Sequence, residues 1–112
     1  MNIITRTDGL NKLTVVTLIG SLDVSGASII ESDMRNAVNR GGDIAIDLSG
    51  VTFLSSQGVR ILVITSKAVV EKNSKFCLVG PNPQIRKVLS IMGVDKLINV
   101  YESLDEIGMP TK

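Results

Sequence analysis

Two adjacent hydroxyls, Ser55 and Ser56, stand where an alternating apolar pattern gives way to a helical one. A serine oxygen at such a junction can accept a hydrogen bond from one of the free N–H groups that open a helix. The turn Ser55-Ser56-Gln57-Gly58 can also take an anion at the helix N-terminus, and a serine can act as a nucleophile if a base lies beside it. Upstream, Ile44, Ile46 and Leu48 alternate with Ala45 and Asp47, the period of a strand with one buried face. Downstream, Val59, Leu62, Val63, Ser66 and Val70 fall at helical spacing and predict an inward stripe. Either Ser55 or Ser56 is therefore placed to cap that helix, and Gly58 in its first turn lets another backbone or a ligand come close.

Composition removes most enzymatic readings of the serines. The chain contains no histidine, which takes away the usual general base and the commonest metal ligand. The single cysteine, Cys77, lies between Phe76 and Leu78 in an apolar run, where a buried thiol is expected, and it cannot build a thiolate metal site or an internal disulfide. No metal, no cofactor and no catalytic residue are implied, and the chain is read as a non-enzyme. Twelve basic residues balance eleven acidic ones, for a net charge of +1, so no basic stripe is set against a phosphate backbone. Three aromatics, Phe53, Phe76 and Tyr101, are too few to stack bases along a single strand, and direct nucleic-acid binding is not expected. No segment approaches the roughly 20 apolar residues of a membrane span, and Met1–Arg6 lacks the features of a signal peptide. A cytoplasmic protein of one domain, residues 1–112, is the expectation.

The flanking segments read as an α/β domain with a mixed central sheet of about five strands and about four helices. Ile3-Ile4 and a segment from Leu13 to Ile19 form two strands of a hairpin around Asp8-Gly9-Leu10-Asn11. Ser25 is a plausible N-cap for a helix with Ala27, Ile30, Met34, Ala37 and Val38 on one face, stopped by Gly41-Gly42. On the helix after the serines, Arg60, Ile64, Lys67 and Glu71 share the outward side. Phe76–Val79 is a strand buried on both faces; Asn82-Pro83 starts a helix with Ile85, Val88, Leu89 and Met92 inward; Gly93 ends it. Leu97–Val100 is the last strand, Ser103–Glu106 has capping-box spacing for a closing helix, and Met109–Lys112 is a tail.

Asp47-Leu48-Ser49-Gly50-Val51-Thr52-Phe53-Leu54-Ser55-Ser56-Gln57-Gly58-Val59 resembles the phosphorylation segment of STAS domains in bacterial anti-sigma factor antagonists. That family's segment reads as an aliphatic strand, Phe or Tyr, an aliphatic, then Asp-Ser-Ser/Ala-Gly. Phe53, Leu54 and Gly58 match, Ser56 takes the place of the phosphorylated serine, and Gly20-Ser21-Leu22-Asp23 matches a Gly-Glu-Leu-Asp turn near it. Ser55 replaces the usual Asp, and Gln57 a small residue. The resemblance implies a partner-switching protein that binds an anti-sigma factor/serine kinase, is released by phosphorylation at Ser56, and is restored by a serine phosphatase. It implies partner-binding roles for Asp23, Ser25, Ser55, Gln57, Gly58, Arg60 and Ile64. The alternative is a STAS scaffold or regulatory subunit of a signalling or transport assembly without a sigma factor, for which the departure at Ser55 speaks.

Overall fold

The computed structural model describes residues 1–8 and 13–107. The order of elements is β1 (Asn2–Asp8), β2 (Leu13–Leu22), α1 (Val24–Arg40), β3 (Asp43–Leu54), α2 (Ser56–Glu71), β4 (Phe76–Val79) and α3 (Pro83–Ile91). A 3-10 turn (Val94–Lys96), β5 (Asn99–Tyr101) and α4 (Leu104–Ile107) complete it. The five strands lie in sequence order in one sheet, with β1 antiparallel to β2 and the remaining pairs parallel. This is the mixed α/β sheet that the alternation of periods predicts. The turn residues 9–12 and the tail from 108 onward lie outside the described residues. No helix among the described residues is long and apolar enough to cross a membrane.

Helices α1, α2 and α3 cover one face of the sheet. Ile30 and Met34 from α1, Leu62 and Val69 from α2, and Ile85 and Leu89 from α3 pack with Leu18, Ile46, Leu48 and Leu78 of the strands. The other face buries Val15, Ala45, Cys77 and Val79 against Leu13, Tyr101 and Leu104. Burial first, and Asp43 second, push the Cys77 thiol up to about 12, so it is an inert packing group.

Several expected boundaries move. The buried residues of α2 are Gly58, Val59, Leu62, Thr65 and Val69, whereas Val70 is 59% exposed. The stripe follows a 3.6-residue period from Leu62 through Thr65 to Val69, and Thr65 sits in the core because its hydroxyl donates back to the Ile61 carbonyl at 2.7 Å. Met92, expected inward, is 46% exposed, because α3 ends at Ile91 and the chain turns through left-handed Gly93. The last strand starts at Asn99, two residues later than expected, because Leu97 and Ile98 still bond back to Val94.

β3 is longer than its alternating core, running from Asp43 to Leu54. Its register with β2 slips twice, between Thr17 and Ile19 and between Gly20 and Ser21, so β3 carries extra residues there. Bulges of this kind re-aim side chains. Here they turn both Val51 and Leu54 into the core, a spacing that a regular strand cannot bury on one face, and leave Phe53 53% exposed.

β2 and β3 end side by side, with Leu22 paired to Leu54, and each runs directly into a helix. The N-termini of α1 and α2 therefore share one edge of the sheet, packed so closely that both need glycine in the first turn. A Cβ at Gly26 would lie 2.5 Å from the Ser21 carbonyl oxygen, and one at Gly58 would lie 2.7 Å from Leu22 Cγ and 2.9 Å from its carbonyl oxygen. Alanine in an open helical site gains up to about 1 kcal/mol over glycine. Gly26→Ala is expected to reverse that sign and cost about 1–3 kcal/mol, because the obstacle is backbone and cannot rotate away. Guanidinium unfolding should show a lower midpoint with an unchanged slope; a midpoint at or above wild type would mean that β2 and α1 can part at this contact.

Candidate functional site

At the shared edge the two helices are capped by the same device with different chemistry. Asp23, in extended conformation, caps α1: its Oδ1 accepts from the Gly26 amide at 2.7 Å, and its Oδ2 accepts from the Ser21 hydroxyl at 3.3 Å. Ser55, also extended, caps α2 by accepting from the Gly58 amide at 3.1 Å. Both motifs read cap, two residues, glycine. Ser25 is thus not the cap of α1, as its residue type suggested, but an exposed residue of the first turn; the carboxylate two positions earlier reaches the free amide first.

Ser55 does more than cap. Its hydroxyl donates to the Leu22 carbonyl at 2.9 Å, and its own amide donates to the same oxygen at 3.0 Å. Since Gly58 rests on that carbonyl, the start of α2 is fastened to the residue just before the α1 cap. The half-buried Ser55 hydroxyl is engaged both as donor and as acceptor. Ser56, the first residue of α2, is exposed.

The electrostatics of the two helix ends differ. At α1 the Gly26 amide, then the Ser21 hydroxyl, hold the Asp23 carboxyl below its ordinary value of 3.8. α2 has a neutral cap and no acidic residue in its first turn, so its own segment supplies no anion to its positive dipole end.

Between the helices runs a groove of about 390 Å³ near the serines, with Val24, Ser28 and Glu31 on the α1 wall, Gln57, Arg60 and Ile64 on the α2 wall, and Ala27 and Ile61 beneath. A further cavity of about 390 Å³ continues it past Met34, Val38 and Ala68. The structure brings Gln57, Arg60 and Ile64 onto one wall; Asp23, Ser25, Ser55, Ser56 and Gly58 stand outside this lining, at or below the helix ends. Ile64 is 50% exposed. The ion pairs among the described residues are Arg35–Glu31 and Arg86–Glu102, so Arg60 is in neither. Val24, 66% exposed, Ser28 and Glu31 complete the opposite wall and were not legible as site residues, because only the pairing of β2 with β3 sets α1 beside α2. A signal that was available is the repeated spacing of Asp23 to Gly26 and Ser55 to Gly58.

A profile of the STAS domain family matches residues 3–107, nearly the whole chain. The chain belongs to the STAS domain family. Its relatives include the anti-sigma-F factor antagonist RsfB of Mycobacterium tuberculosis, 30% identical over 86% of this chain and 79% of that one. An anti-sigma factor antagonist from Mycobacterium paratuberculosis superposes with a TM-score of 0.81 at 29% identity, over 94% of this STAS chain and 90% of the other. The phosphorylated form of the Bacillus cell fate determinant SpoIIAA shares the fold, with a TM-score of 0.71 at 19% identity over 96% and 97% of the two chains.

The Asp23 cap carries a pH signature. A carboxyl whose folded value is depressed adds stability that is complete above its unfolded value and is lost as pH falls through the folded one. Asp23→Asn should therefore flatten the acid side of the stability profile below about pH 4 relative to wild type, while the two profiles run parallel near neutrality. Thermal melts from pH 2 to 7 check this; identical acid limbs would exclude Asp23 as a titrating contributor.

Proposed function

We propose that this STAS protein is an anti-sigma factor antagonist that binds an anti-sigma factor through the edge formed by the α1 and α2 N-termini and is switched off by phosphorylation of Ser56. It is a binding protein, and the chemistry is done to it. The observation that carries the reading is an exposed serine at the first position of a sixteen-residue helix with no acidic residue in its first turn, beside a half-apolar groove. RsfB and the Mycobacterium paratuberculosis protein are anti-sigma factor antagonists by name, and SpoIIAA exists in a phosphorylated form.

In the modifying step a serine kinase, which is the anti-sigma factor itself, uses ATP. The Ser56 Oγ attacks the γ-phosphorus, the new O–P bond forms as the bond to the β,γ-bridging oxygen breaks, ADP leaves, and the hydroxyl proton is released. A phosphatase reverses the change by hydrolysis, with water as co-reactant and inorganic phosphate as product. The phosphate brings about −1.5 to −2 charge and three acceptor oxygens. On the free protein, the α2 N-terminus offers it the charge complement that the neutral Ser55 cap leaves open. Against a partner seated on Val24, Ala27 and Ile64, the same charge must be desolvated. The modified chain is thus stable alone and unstable in the complex.

The test is capture of the anti-sigma factor by wild type, Ser56→Ala and Ser56→Asp. Wild type and Ser56→Ala should bind, Ser56→Asp should lose binding about tenfold or more, and Ile64→Asp should lose it with an unchanged melting temperature. Equal capture by all four would remove the α1–α2 edge from the interface.

Arg60 lies four residues beyond Ser56 on the same helix, a spacing at which a guanidinium can bond two phosphate oxygens. Such an exposed pair is worth about 1 kcal/mol or less. Arg60→Ala should leave the melting temperature of the unmodified protein within about 1 °C, lower that of the phosphorylated protein by a few degrees, and speed dephosphorylation. Equal effects on both forms would assign Arg60 to the partner rather than to the phosphate.

A further inference from the structure

Ser55 and Ser56 are neighbours with the same functional group, yet the fold treats them in opposite ways. The Ser55 oxygen gives its proton to the Leu22 carbonyl at 2.9 Å and takes the Gly58 proton at 3.1 Å. A hydroxyl whose proton and acceptor lone pair are both committed inside the protein must break those bonds before it can attack phosphorus; doing so takes the side-chain acceptor from the buried Gly58 amide and leaves the buried Leu22 carbonyl with the Ser55 amide alone. The same bonds hold the start of α2 against β2, with Gly58 lying on the Leu22 carbonyl where even a methyl group does not fit. Ser56 is thereby presented from a fixed turn as an exposed residue.

We infer that Ser55 is a positioning residue for the modification of Ser56: its doubly bonded hydroxyl is withheld from phosphoryl transfer and fixes the turn that offers Ser56 as the acceptor. This rests on the switch reading, in which a kinase transfers the γ-phosphoryl group of ATP to Ser56 Oγ with release of ADP and a proton. Ser55 itself forms no covalent bond. Two functions are joined in one side chain. As an acceptor it caps α2, which other polar residues can also do; as a donor to Leu22 its hydroxyl adds a second bond to the one its amide already makes to β2, a side-chain bond that a carboxylate cannot make.

The experiment expresses tagged full-length protein in its own cells, where the native kinase acts, and measures phosphate occupancy at each serine by mass spectrometry. The variants are wild type, Ser56→Ala, Ser55→Ala and Ser55→Thr, with Leu89→Ala as a control that weakens the core in α3, away from the serines. The expected pattern has four parts: phosphate on Ser56 alone in wild type, none on Ser55 in Ser56→Ala, at least a threefold fall at Ser56 in Ser55→Ala, and recovery in Ser55→Thr. Leu89→Ala should keep wild-type occupancy, which separates positioning from a general loss of stability. Phosphate on Ser55 in Ser56→Ala, or wild-type occupancy of Ser56 in Ser55→Ala, overturns the inference while leaving the switch in place. A fall in Leu89→Ala equal to that in Ser55→Ala also overturns it, since stability alone would then account for the loss. Wild-type protein without phosphate in cells that hold an active kinase overturns the switch reading, and this inference with it.

Discussion

The Leu22 carbonyl is the point on which this structure turns. It receives the amide and the hydroxyl of Ser55, and Gly58 packs directly onto it. The oxygen belongs to the last residue of β2, its donors to the residue that joins β3 to α2, and the next residue along, Asp23, caps α1. One backbone acceptor thereby fixes two strand ends and two helix starts. Two hydrogen bonds to one carbonyl contribute only about 1 kcal/mol each in net terms, but leaving a half-buried donor or acceptor unpaired costs more than the bond gains, so the arrangement is strongly specified. The absence of a side chain at Gly26 and Gly58 is part of the same constraint, because the helices could not otherwise come this close to β2.

The consequence for function is electrostatic. Parallel strands followed by returning helices bring two positive dipole ends to one edge, and the chain treats them differently: a carboxylate at α1, a hydroxyl at α2. The first is already neutralised in part. The second is left able to take a negative charge on its exposed first residue, and the half-apolar groove beside it is the kind of surface from which a newly charged group repels a partner. The proposed switch needs no large movement of the domain, since the change in charge acts at the proposed partner surface.

The rest of the fold supports that edge by ordinary packing. The β3 bulges keep Val51 and Leu54 anchored in the core up to the residue before Ser55, so the turn starts from a buried strand end. Asn82 caps α3 through the Ile85 amide and also donates to the Val51 carbonyl, which holds the β4–α3 loop against the bulged part of β3. At the far end of the sheet the chain relies on glycines at positive φ, Gly41 after α1 and Gly93 after α3.

The order of strands and helices, the junction at Ser55 and Ser56, the inert place of Cys77 and the α/β class were all legible in the chain, because each rests on local periodicity or on residue chemistry within a few positions. The family pattern around Phe53, Leu54, Ser56 and Gly58 was legible for the same reason. The rest depends on contacts between distant segments. Which serine caps α2 depends on the Leu22 carbonyl, 33 residues away in the chain. Whether Ser25 or Asp23 caps α1 depends on backbone angles that residue type does not fix. The outward turn of Phe53 and the inward turn of Thr65 follow from the β3 bulges and from a helical seam set by packing, and both defeat a simple count of apolar spacing. The facing wall of Val24, Ser28 and Glu31 exists because β2 and β3 are neighbours, a contact between residues far apart in sequence that no local pattern contains.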